Sequence, residues 1–167
     1  MITLRAITLA GLAMLGLPAN AQTVGEAVAD LVIEGCFFET ARPGKELPRA
    51  FAAFDASNLP VVTKTPTMGF YGEPGKTYAV VNFTDDEAVA CSLNIIPDHM
   101  NEQSFTVMVD IVDRHIRSRL PNLKHSNSGR NQYDYVSTRN GVRTAVTMRW
   151  TRTGGTEIAS VGAPHED

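Results

Sequence analysis

The chain has 167 residues, of which 43% are hydrophobic, 20% charged and 7% aromatic. These are the proportions of an ordinary globular domain, and they exclude disorder, collagen and coiled coil. The formal net charge of −3 argues against a general nucleic-acid binder.

The N-terminus carries one positive charge, on Arg5, followed by an almost wholly apolar run from Ala6 to Leu17. Pro18 breaks that run, and Ala19-Asn20-Ala21 follows. A charged start, a short apolar stretch and an A-x-A site are the parts of a secretory signal peptide. The run is too short for the ~20 residues that a bilayer-spanning helix needs. We therefore expect residues 1–21 to be a signal peptide and residues 22–167 to be a single exported domain, periplasmic or secreted, with no membrane span after cleavage. Only two cysteines, Cys36 and Cys91, are present. An even count in an exported chain predicts one disulfide. Their separation of 55 residues excludes C-x-x-C redox chemistry and a cysteine-rich zinc site.

Thr23 to Phe38 reads as a helix, with Val24, Val28, Leu31, Val32 and Cys36 in one apolar stripe. Arg42-Pro43-Gly44 is expected to break the chain, and a short helix to run from Pro48 to Ala56. Asn58 to Pro66 reads as extended, an edge strand around Val61-Val62. Thr77 to Phe83 and Ala88 to Ile96 read as a hairpin. A two-residue turn at Asp85-Asp86 would pair Val80 with Cys91, and would put Tyr78, Val80, Val89, Cys91, Leu93 and Ile95 on one face. Both cysteines then point to the core.

Asn101 to Leu120 is the clearest helix, with Phe105, Met108, Val109, Val112, Ile116 and Leu120 in a continuous stripe. Asp110–Arg114 and Asp113–Arg117 have the spacing of helical ion pairs. Lys124 to Asn131 is polar and reads as a loop. Two glycine turns then predict a three-stranded meander. Asn140-Gly141 pairs Tyr135 with Val146, and Gly154-Gly155 would pair Met148 with Val161. Tyr133, Tyr135, Val146, Met148, Trp150 and Val161 are expected on the buried face. Asp134, Arg143, Thr147, Arg149 and Ser160, with Val136 and Ile158, are expected on the other. This order predicts an α+β fold: an antiparallel sheet made of a hairpin, a long helix and a three-stranded meander, with the N-terminal helix packed on it.

Motifs for chemistry are sparse. Gly75-Lys76-Thr77 resembles the end of the phosphate-binding loop of nucleotide hydrolases. That loop needs glycine where Phe70 stands and must lead into a helix, whereas Thr77 opens a strand. No two of His99, His115, His125 and His165 have the spacing of a helical metal pair. No G-x-S-x-G nucleophile motif is present. The residues assign no cofactor, no metal and no catalytic group.

Charge, however, is segregated along the chain, with a net of −9 over residues 22–113 and +5 over residues 114–167. Asp134, Arg143 and Arg149 on the polar face of the meander are the candidate partner-binding surface, with Arg130, Arg139 and Lys124 in adjoining loops. The favoured expectation is a small non-catalytic domain that binds an anionic protein or an envelope component, through this face or through the loop from Met68 to Lys76. The alternative is a small exported hydrolase whose site assembles around His99, His115 or His125, with Asp98 nearby.

Overall fold

The computed structural model describes residues 21–73, 75–84, 87–120, 124–126 and 131–165. The segment read as a signal peptide lies outside the described residues, apart from Ala21, and so do Asp85, Asp86 and Arg130. Helix α1 (Ala21–Gly35) and helix α2 (Pro43–Ala56) come first. They are followed by strands β1 (Val61–Lys64), β2 (Met68–Gly72), β3 (Tyr78–Phe83) and β4 (Val89–Ile95). A short turn of 3-10 helix, Pro97–His99, leads into helix α3 (Glu102–Arg119). The chain closes with β5 (Lys124–Ser126), β6 (Gln132–Arg139), β7 (Val142–Trp150) and β8 (Thr156–Pro164).

All eight strands form one antiparallel sheet in the order β1-β2-β3-β4-β8-β7-β6-β5. Two four-stranded meanders thus meet along β4 and β8, and each is preceded by helix. The fold is α+β with an antiparallel sheet, as the order of hairpins and helices predicts. The inward strand residues and the apolar helix stripes share one core, so the helices cover one face of the sheet. Every residue of the stripes expected on α1 and α3 is buried. No helix among the described residues is long and apolar enough to cross a membrane.

Capping explains where the helices begin. The Asn101 side chain accepts the Ser104 N–H at 2.9 Å and starts α3. Pro43, expected to break the chain, instead opens α2, because a first-turn proline loses no helical hydrogen bond. Pro48 consequently sits inside the helix rather than at its start.

The register differs from expectation in two hairpins. Phe83 pairs with Val89 and Val81 with Cys91, one residue from the expected alignment. Glu87 adopts the left-handed conformation (φ 56°), and Thr84 closes the turn by donating to Ala88 O at 2.8 Å. The extra turn residue puts Ala79 and Val81 inside and turns Tyr78 and Val80 outward. Between β7 and β8, Thr151–Gly155 all belong to the turn, where the Thr151 hydroxyl accepts the Gly155 N–H at 2.9 Å. Met148 therefore pairs with Ile158, not Val161. Ile158 and Ser160 are buried and Val161 faces outward, the reverse of the expected assignment. The hairpin at Asn140-Gly141 has the expected register, Tyr135 with Val146 and Tyr133 with Met148. Two stretches expected to be irregular are strands, Met68–Gly72 and Lys124–Ser126. Each pairs with a stronger neighbour, β3 and β6 respectively.

Cys36 and Cys91 stand at disulfide distance, with Cα atoms 5.2 Å apart. The chain after α1 is held to the sheet by more than this pair. The Ser160 hydroxyl donates to Cys36 O, and the Thr144 hydroxyl donates to Phe38 O at 2.9 Å. These carbonyls explain why two polar side chains face the core. At Gly162 an added Cβ would come within 2.9 Å of Thr40 O, so only glycine admits the segment this close to β8.

Candidate functional site

The outer face of the sheet carries no helix among the described residues. Across it, aligned positions form rows. One row runs Phe70, Val80, Ser92, Ala159, Thr147 and Asp134. The next runs Asn82, Ala90, Val161, Ala145, Val136 and Lys124. The middle of the face is thus built from small residues, alanine, serine, threonine and valine, with Phe70 and Tyr78 on the β2–β3 side.

Asp134, Arg143 and Arg149 all lie on this face, as expected. They do not form one cluster. Arg143 and Arg149 are six residues apart on β7, a span of about 20 Å. Arg149 is ion-paired with Glu157, its cross-strand neighbour. Asp134 accepts the Thr147 hydroxyl at 2.8 Å and the Gln132 amide at 2.9 Å. Much of this charge is therefore satisfied within the sheet. Arg143 stays exposed at the other end of the face. Arg139 points to the helix side and donates to Arg119 O at 3.1 Å.

The histidines are scattered. His99 is exposed before α3, and its Nδ1 shares a 2.7 Å hydrogen bond with the Thr77 hydroxyl. That hydroxyl also accepts the Ile96 N–H at 3.3 Å. The Thr77 of the phosphate-loop-like sequence thus ties β3 to the end of β4. Lys76 is paired to Glu73 in the same connection. His115 sits about 20 Å further along the axis of α3. His125 pairs by its backbone with Tyr135 in β5. Among the described residues no three His, Cys, Asp or Glu side chains gather as a metal site.

His115 borders a groove of about 210 Å³ beside a charged network that sequence spacing does not reveal. Glu46, only 2% exposed, accepts the Thr40 N–H at 3.0 Å and the Thr40 hydroxyl at 2.8 Å. Its other oxygen accepts from Arg49 at 2.9 Å. The Arg49 guanidinium donates to Ile33 O and Glu34 O, each at 2.9 Å, and to Phe37 O. The Ile33 and Glu34 carbonyls belong to the last turn of α1, where carbonyls run out of helical donors, and Phe37 O follows it. Arg49 and Glu46 therefore terminate one helix and fix the start of the next. The His115 ring meets Phe37 edge to face, with centroids 5.3 Å apart. Burial holds its pKa below the usual value; Arg119 and Arg49 push the same way, while Glu39 and Glu34 oppose them.

A larger cleft, about 500 Å³, opens where the helical layer ends. The α1–α2 connection forms one wall and the β6–β7 hairpin the other. Arg42 and Arg139 both line it, brought together from opposite halves of the chain. No spacing rule relates two residues so far apart, and only the packing of the α1–α2 connection against the hairpin joins them.

Comparison with protein-family models finds no match, and comparison with curated proteins finds no significantly similar relative.

Proposed function

We propose that residues 22–167 form an exported, non-catalytic domain that docks a protein partner on its open sheet face. The observation that carries this reading is the face itself, which no described helix covers. Ala90, Val161, Ala145 and Val136 cross four strands in one row, with Val80 and Ala159 beside them. Their short side chains leave a shallow apolar centre that a partner surface can approach closely. Polar and charged groups stand around it: Asp134, Lys124, Arg143 and the Arg149–Glu157 pair. That is the pattern of an apolar core with a polar rim. Arg143 supplies a rim contact for an acidic group on the partner, while Arg149 is already matched by Glu157. Export is supported by the signal-like N-terminus and by the cysteine pair at disulfide distance. The hydrolase alternative would build its site around His99, His115 or His125, of which His99 and His115 lie most of a helix apart.

Ala145→Glu and Ala159→Arg test the reading. Both positions face outward, so the domain should keep its circular dichroism and melting temperature. Cross-linking in the native envelope should then recover a partner with the wild type and lose it with either variant. A partner retained by both variants would move the docking surface elsewhere.

A further inference from the structure

We propose that the cleft between the α1–α2 connection and the β6–β7 hairpin binds a small amphipathic anion, a molecule with one carboxylate or phosphate group on an apolar body. The cavity of about 500 Å³ lies within the usual range for small-molecule sites. It exists because α3 stops at Arg119 while the hairpin runs on to Asn140-Gly141. The inward residues Ser137, Arg139, Val142 and Thr144 of the hairpin therefore project past the end of the helix and line the cleft.

Its charge is lopsided. Arg42 is exposed and has no side-chain hydrogen bond or ion pair among the described residues. Arg139 uses one Nη1 bond to Arg119 O and has no carboxylate partner among them, so most of its donor fork is free. The carboxylate in the lining, Glu39, has a cation of its own in Arg119 at 3.9 Å. Two guanidinium groups thus flank a cleft in which no described carboxylate is committed to them, the arrangement that recognises a planar or tetrahedral oxyanion. Part of the remaining wall is apolar, beside Thr40 and Asn140. Leu120, which is buried, lines it together with Val142 and Pro164. Ser137 adds a hydroxyl to the lining, while that of Thr144 is already committed to Phe38 O. An anion alone would leave the apolar wall unused, and an apolar molecule alone would leave the arginines unmatched.

Decanoate and decyl phosphate are suitable probes below their micelle concentrations, with decyltrimethylammonium and decyl maltoside as controls of the same chain length. Isothermal titration of residues 22–167 should show saturable binding of at least one anion with a stoichiometry near one, and no binding of either control. The preferred anion identifies the headgroup. Arg42→Gln should weaken that binding about tenfold, as loss of one charge-assisted contact does. Arg42 is exposed, so this variant should keep the wild-type melting temperature. Val142→Trp, which fills the cleft, should weaken binding by a similar factor or more. The proposal is overturned if neither anion binds, if the cation or the neutral amphiphile binds as well, or if binding survives both substitutions unchanged.

Discussion

Burial lowers the His115 pKa and so favours the neutral imidazole, and the neighbouring Arg119 and Arg49 push the same way. The consequence for stability follows from linkage. A histidine whose folded pKa is depressed binds its proton more readily in the unfolded chain. Its contribution is fully present above the unfolded value near 6.5 and is lost as pH falls through that value toward the folded one. Chemical denaturation at pH 7.5, 6.5, 6.0 and 5.5 should therefore show stability falling in the wild type. In His115→Gln the decline over this window should be clearly smaller. An identical slope in both would mean that Glu39 and Glu34 offset the burial completely. Polar groups on the sheet tell a related story. Ser160 and Thr144 face the core because the chain after α1 offers them carbonyls at Cys36 and Phe38. Alternation along β8 could not anticipate those acceptors.

Between the helices, a close fit lies where α1 packs on α3. A Cβ added at Gly25 would come within 2.6 Å of Ser104 O and 2.7 Å of the Val107 Cβ. Backbone cannot retreat as a flexible side chain can, so the two helices would have to separate. Gly25→Ala should lower stability by about 1–3 kcal/mol despite alanine's better helix propensity. Urea unfolding would measure it, and a neutral or stabilising result would show that α1 shifts freely. Helix α3 is then tied to the sheet by polar contacts. Asp113 accepts Arg117 from one turn later and the Tyr135 hydroxyl at 2.8 Å. The neighbouring Asp110–Arg114 spacing gives no such ion pair, for Arg114 donates to the Asp110 backbone carbonyl at 3.1 Å. Equal spacing led to different bonds because only Asp113 also has a sheet partner to hold it in place.

At the level of the whole molecule, two meanders meet at β4 and β8, and the segment after α1 crosses the seam between them. Cys36 stands at disulfide distance from Cys91 on β4, while Cys36 O and Phe38 O take hydroxyls from β8 and β7. One short stretch therefore fastens both halves. A bridge closing 55 residues constrains the unfolded chain by roughly 4 kcal/mol in the chain-entropy model. Cys36→Ser and Cys91→Ser should each destabilise by a similar amount, with the double variant little worse than either. Guanidinium titration of the three would show this, and additive losses would mean that the cysteines act separately. The open sheet face and the cleft also belong to this scale. Each draws on strands or connections from both halves of the chain.

The amino-acid sequence alone determined the fold class, the stripes of α1 and α3 and the register at Asn140-Gly141. Those features depend on near neighbours: helical periodicity, capping, and a two-residue turn whose geometry is set by its own residues. It also aimed both cysteines at the core. What tertiary structure alone decided is the pairing of β4 with β8, the burial of Ile158 and the outward turn of Val80 and Val161. Turn length set the last two, and a period-2 pattern cannot report it when Ala79 and Val80, or Ile158 and Val161, suit either face. The charged groups show the same division. Their identity is written in the chain, but the pairing of Arg149 with Glu157 and the placing of Arg42 and Arg139 along one cleft come from strands and connections brought together by folding.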